Sequence, residues 1–262
     1  MDLNLTGKTA LVCGSTQGIG LATAVELALM GANVTLVARN EEKLRKAVET
    51  LDTSASQLHR YVVADFSDNE NVKDAIENYL RLCPEVHILI NNTGGPAGGP
   101  VIEAETDQFL KTFQMHLINN QFLAQSVVPF MKKAGFGRIV NIISTSVKQP
   151  IVGLGVSNTI RGAVASWSKT LSLELGQFGI TCNNVLPGYT ETARLDAVLE
   201  MRSKAQGKSR EEIANEMQAS IPIRRFSEAR EVAAAVAFLC SPAAASINGV
   251  NLPVDGGKTE SM

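Results

Sequence analysis

The sequence has few of the features that mark a metal, disulfide or nucleic-acid protein. Its four cysteines, at positions 13, 83, 182 and 240, stand far apart, with no C-x-x-C pair and no histidine at ligand spacing. Buried, reduced thiols are expected, and neither a metal site nor a disulfide. No block of Lys or Arg occurs and the formal net charge is −2, so nucleic acid and anionic membranes have no electrostatic footing as partners. No apolar run approaches membrane-spanning length, and the opening Met1-Asp2-Leu3-Asn4 lacks the positive charge and apolar stretch of a secretion signal; a cytoplasmic location is the expectation. There is no internal repeat and no low-complexity linker. Tyrosine is scarce, with only Tyr61, Tyr79 and Tyr189, and that scarcity bears on the chemistry below.

What is present reads as globular: 45% of the 262 residues are hydrophobic and 19% charged, enough apolar material for a sizeable core. Short apolar runs rich in β-branched residues, at 9–12, 33–38, 61–64, 87–90, 138–143, 181–185 and 250–254, alternate with helical patterns near 18–30, 41–51, 68–82, 107–133, 157–177 and 228–240. Such alternation predicts an α/β fold, a Rossmann-type doubly wound parallel sheet of about seven strands in three αβα layers. One dinucleotide-binding domain over residues 1–262 is expected. Helix starts are read at Asn40 before two glutamates, at Ser67 with Glu70, and at Ser209 with Glu212. The polar, helix-prone stretch 187–222 reads either as a lid or substrate loop beside the carboxyl edge of the sheet or as a packed helical pair.

The most informative stretch is Cys13-Gly14-Ser15-Thr16-Gln17-Gly18-Ile19-Gly20, a strand-to-helix turn. Gly14 allows a tight exit from the strand, Gly18 a close approach of backbone to phosphate, and Gly20 close packing of helix on sheet. Its spacing is G-x3-G-x-G rather than G-x-G-x-x-G. The second strand ends Ala38-Arg39-Asn40 without the acidic residue that meets a free ribose 2′-hydroxyl. Arg39 at that point favours a 2′-phosphate, hence NADP(H) over NAD(H), unless it is simply a solvated side chain. Asp65 and the turn Asn91-Asn92-Thr93-Gly94-Gly95 close the third and fourth strands on the same edge. Asp65 could bind the adenine amino group or cap a helix; the Asn-rich turn could present amides to the ribose or be a plain turn.

In this order the motifs resemble the short-chain dehydrogenase/reductase family over essentially the full length, most closely its 3-oxoacyl-(acyl-carrier-protein) reductase-like members. The matching stretches are 14–20, Asn91-Asn92-Thr93-Gly94, Gly137-Arg138-Ile139-Val140-Asn141-Ile142, Leu173-Glu174-Leu175, Pro187-Gly188, and Asn248 to Leu252 leading to Asp255-Gly256-Gly257. The resemblance implies hydride transfer between a nicotinamide and a carbonyl or alcohol. It implies that Gly14, Ser15, Gln17, Gly18, Ile19, Gly20, Asp65, Asn91, Gly94, Pro187, Gly188, Thr190 and Thr192 line the cofactor site. It further implies a catalytic Tyr and a Lys four residues apart on one helical face, a Ser for the substrate oxygen, and an Asn for a water.

Counting from both flanking motifs puts Ser157 in the tyrosine slot and Arg161 in the lysine slot. Ser144 fills the serine slot, with Thr145 and Ser146 as close alternatives, and His116 occupies the asparagine slot, with Asn119 and Asn120 one turn on. Only one of four slots matches. A serine hydroxyl is far less acidic than a phenol, of pKa about 10. Arg161 stays charged and can keep the ribose-holding half of the lysine role. Two other groups are candidate proton donors: His116, unless it is a satisfied core histidine, and Tyr189, unless it packs on the lid. The expectation is an NADP(H)-dependent reductase of a 3-oxoacyl-like or other small carbonyl compound with a non-standard proton donor; the alternative is a nucleotide-binding protein without hydride transfer. The resemblance also implies a homo-oligomer, dimer or tetramer, with Ala233-Ala234-Ala235 small enough for close approach across an axis.

Overall fold

A computed structural model of the chain describes residues 1–261. Seven parallel strands form one sheet in the order β3-β2-β1-β4-β5-β6-β9, where β1 is Thr9–Cys13, β2 Asn33–Ala38, β3 Arg60–Val63, β4 Ile88–Asn91, β5 Gly137–Ile142, β6 Ile180–Pro187 and β9 Asn251–Val254. The order reverses between β1 and β4, the switch point where ligands enter such sheets. Because strands with helices on both faces must be apolar on both, alternate residues of each strand enter opposite cores. Ala10 and Val12 pack with Val34, Leu36, Ile88 and Ile90; Leu11 and Cys13 face the other way, with Val37, Leu89 and Ile139.

Helices α1 (Gly18–Leu29), α2 (Glu41–Glu49) and α9 (Ala229–Cys240) serve the first face. Helices α3 (Asn69–Leu82), α5 (Asn119–Ala134) and α6 (Gly155–Leu175) serve the second. Small residues let α1 and α9 lie close: Ala24 and Ala28 share a cluster with Val232, Val236 and Ala237. Ala233 is fully buried within this chain, so of the alanine triplet only Ala234 is exposed, with Ala235 half-buried. The expectation of a subunit-packing triplet is corrected to that extent.

Two local readings change. The cap of α3 is Asp68, whose carboxylate accepts from the Glu70 and Asn71 amides, not Ser67; Asp is as good an N-cap and stands one residue closer to the first apolar turn. The long helix expected at 107–133 is divided. Helix α4 (Thr106–Phe113) passes through a π-helical turn, Gln114–Ile118, into α5. The extra residue of a π turn shifts the face each side chain presents, and such turns cluster at functional sites. Residues 187–222 contain a short strand β7 (Thr190–Glu191) and the pair α7 (Ala193–Gln206) and α8 (Arg210–Ala219). Strand β7 pairs with β8 (Ser227–Glu228). The pair has its own core of Leu195, Leu199, Ile213, Met217, Ile221 and Phe226. The expected caps at Asn40 and Ser209 both form.

Across β4, β5, β6 and β9 four asparagines are direct register partners. Asn91 Nδ2 donates to Asn141 Oδ1 at 2.8 Å, Asn141 Nδ2 to Asn184 Oδ1 at 2.9 Å, and Asn184 Nδ2 to Asn251 Oδ1 at 2.7 Å. Asn91 Oδ1 begins this chain without a partner. Buried amides stacked in register favour one pairing of the strands, because a slip would orphan several at once.

Candidate active site

The turn from β1 to α1 is built by close contact. Gly14 has φ +59°, and a Cβ there would lie 2.4 Å from the Asn92 carbonyl oxygen. A Cβ on Gly20 would lie 2.1 Å from the Gly14 carbonyl oxygen. Glycine is required at both positions, sterically at each and conformationally at Gly14. Asn92 Nδ2 donates to the Cys13 and Gly14 carbonyls at 3.3 and 3.1 Å, latching β4 to the turn. Helix α1 has no side-chain cap at Gln17 and no acidic residue in its first turn. Its first amides and its positive dipole end are therefore free for an anion.

The expected cofactor residues gather here with two changes of role. Ser15 is fully buried, its Oγ accepting from the Val37 amide at 3.0 Å, so its side chain ties the turn to β2 instead of facing the crevice. Asn91 is likewise committed to the amide chain inside the sheet, while the neighbouring Asn92 latches the glycine turn. Gly14, Thr16, Gln17, Arg39, Asp65 and Gly94 border one cavity of about 590 Å³. Asp65 accepts from the Ser67 amide at 3.0 Å and from its hydroxyl at 2.8 Å. These bonds, with a smaller contribution from the Arg39 charge, hold its carboxyl below the usual range. Pro187 ends β6, and the Gly188 amide donates to the Val254 carbonyl at 3.0 Å. Thr190 is buried beside it, and Thr192 caps α7 with its methyl 3.2 Å from where a Gly18 Cβ would stand. The loop after β6 thus reaches the glycine turn at Gly18.

At the other end of the crevice, Ser144 follows β5 and its Oγ accepts from the Ser146 amide at 3.1 Å. Ser157 lies half-buried in the first turn of α6. Arg161, one turn on, is buried, and its Nη1 donates to the Ile142 carbonyl at 3.1 Å. Burial, and secondly the charge of Arg194, push its pKa down to about 10, so it remains a cation at neutral pH.

Both candidate proton donors are corrected. His116 sits in the π turn, only 2% exposed, its Nδ1 2.7 Å from Thr93 Oγ1 and its Nε2 without a partner. Burial first, then the Arg161 charge, drive its pKa down to about 2. It is a neutral imidazole at physiological pH and no imidazolium acid. Tyr189 packs edge-on against Phe226 at 6.2 Å between ring centroids, with Arg202 over its face, so its ring belongs to the α7–α8 core. Asn119 donates to the Phe66 carbonyl at 2.9 Å, an internal tie.

With this geometry the comparisons agree. The family model for enoyl-(acyl carrier protein) reductase matches residues 14–259. The chain belongs to the short-chain dehydrogenase/reductase family. Within that family it is 32% identical to a tropinone reductase homolog of Arabidopsis thaliana over 261 residues, 98% of this chain and 94% of the other. It superposes on L-sorbose reductase from Gluconobacter frateurii, a complex with NADPH and L-sorbose, with a TM-score of 0.93, 29% identity and full coverage of both chains. Actinorhodin polyketide ketoreductase with NADPH gives 0.89 and 33%, covering 97% of each chain. No helix among the described residues is long and apolar enough to cross a membrane.

Sequence reasoning missed Asn92, Thr93 and Arg194 as site residues. The first two lay inside a motif read as a unit. Arg194 carried a signal only in its spacing, two residues after Thr192.

Proposed function

We propose that the protein is an NADP(H)-dependent reductase of carbonyl compounds. The observation that carries this reading is the phosphate turn: an uncapped α1 N-terminus over glycines whose Cβ positions are already occupied, opening into the cavity that Arg39 borders. This cradle fits a dinucleotide pyrophosphate, and a guanidinium at the end of β2 fits a 2′-phosphate better than a bare hydroxyl. Two NADPH complexes among the structural relatives support the same choice. When bound, NADPH supplies hydride to a carbonyl carbon. Ser144, whose oxygen accepts from the Ser146 amide, keeps its own proton free to donate to the substrate oxygen. Arg161 holds ribose hydroxyls and provides a fixed positive charge beside the developing alkoxide. With His116 neutral and Tyr189 engaged elsewhere, the Ser144 hydroxyl donates to the substrate oxygen and solvent water makes good its proton.

The test is titration with NADPH and with NADH, followed by nicotinamide fluorescence, and then turnover with aldehydes and ketones. Arg39→Ala is expected to weaken NADPH about tenfold or more while leaving NADH unchanged. Absence of saturable binding by either nucleotide would sink the reading. Binding without oxidation of NADPH by any carbonyl compound would leave a nucleotide-binding protein that no longer transfers hydride.

A further inference from the structure

Two guanidinium groups face one gap in the crevice, and no carboxylate pairs with either. Arg161 comes from α6 and Arg194 from the first turn of α7, and the segment between them, Thr93 to Pro96, follows β4. A Cβ built on Gly95 would lie 3.8 Å from Arg161 Nη2 and 3.9 Å from Arg194 Nη2. Gly95 thus leaves open the space between two cations. Each arginine is anchored by a backbone carbonyl: Arg161 Nη1 on Ile142 at 3.1 Å, Arg194 Nη2 on Pro96 at 2.9 Å. Every ion pair among the described residues involves other side chains.

Two like charges converging on one point, one of them buried, oppose folding unless a counter-charge enters. Burial first, and then the charge of Arg194, lower the pKa of Arg161. The ribose hydroxyls assigned to Arg161 are neutral and call for no second cation. The phosphates of the cofactor have their own cradle at Gly14–Gly20 and Arg39. His116 and Gly95 border the same cavity, and the neutral imidazole adds no charge to the gap.

We infer that the gap over Gly95 is a carboxylate subsite, so that the compound reduced is an oxo acid whose carboxylate bridges Arg161 and Arg194 while its ketone oxygen meets Ser144. This rests on the reductase reading for the fate of the ketone, but not for the binding of the acid. Planar guanidinium forks match carboxylate oxygens in geometry as well as charge.

The test is calorimetric titration of the protein, alone and saturated with NADPH, with acetoacetate and laevulinate and with their methyl esters. The acids are expected to bind at least about tenfold more tightly than the esters, as charge-assisted hydrogen bonds in a partly dry site would give. Arg194→Gln keeps a donor for the Pro96 carbonyl and removes the charge. Gly95→Ala keeps both charges and fills the gap, its methyl in ordinary van der Waals contact. In each variant the acid and its ester should bind within about twofold of one another. Equal binding of acid and ester to the unaltered protein, binding of neither, or a preference that survives in either variant overturns the proposal. Acids bound but never reduced would defeat the reductase reading and leave the subsite standing; esters reduced as fast as acids would do the reverse.

Discussion

The two ends of the crevice are made of different material. At the phosphate end the close approaches involve backbone: Gly20 under the Gly14 carbonyl, Gly14 under the Asn92 carbonyl, and Asn92 latching the turn through its amide. At the reacting end side chains do the work, and they come from elements distant in sequence: Ser144 after β5, Arg161 in α6, His116 in the π turn and Arg194 in α7. Backbone architecture tolerates almost no substitution, because a methyl group has nowhere to go. Side-chain architecture can be rewritten within an unchanged fold.

That contrast is sharpest at Gly20. Gly20→Ala would force a Cβ to 2.1 Å from the Gly14 oxygen and 2.6 Å from Asn92 Nδ2. The turn must shift to relieve it, so NADPH affinity is expected to fall by about a hundredfold or more, with a lowered Tm, both readable in one thermal-shift titration. A next, smaller break is Asn141→Leu in the amide chain. It orphans Asn91 Nδ2 and Asn184 Oδ1, and at about 1–3 kcal/mol for each buried unpaired group the loss should be about 2–6 kcal/mol by urea unfolding. An unchanged midpoint would mean that the chain contributes nothing to the pairing of β4, β5 and β6.

His116 supplies a test on the pH axis. Its pKa in the folded protein lies far below the unfolded value of 6.5, so between those values the unfolded chain takes up a proton that the folded one refuses. Its contribution to stability is intact above pH 6.5 and declines as pH falls toward about 2. The unaltered protein should therefore lose stability on acidification faster than His116→Asn, by up to about 1.4 kcal/mol per pH unit. Parallel profiles for the two proteins would show that the imidazole titrates in the folded protein as it does in the unfolded chain. The smallest effect belongs to Ser157→Ala. If that hydroxyl is no acid, kcat should change by less than about twofold, whereas a loss of hundredfold would return Ser157 to the chemistry.

The strands and most helices were legible because alternating apolar runs and helical periods are local properties, and the Asn40 and Ser209 caps are local as well. The division of 107–133 was not, since a π turn inserts one residue without disturbing the apolar pattern on either side. Ser15 and Asn91 were given to the cofactor because both sit in motifs that serve it. Whether a side chain in such a motif faces the crevice or the sheet depends on what lies across from it, Val37 for the one and Asn141 for the other.

By itself the sequence determined the doubly wound sheet, the position of the glycine turn, the cation at the end of β2, and the placing of Ser157 and Arg161 one helical turn apart. These depend on residue type and spacing along the chain. Tertiary structure alone decided that His116 is neutral, that Tyr189 packs away from the reacting end, and that Arg161 and Arg194 meet across Gly95. Those three depend on burial and on the convergence of segments that lie far apart in the chain, and neither quantity is a property of any short stretch.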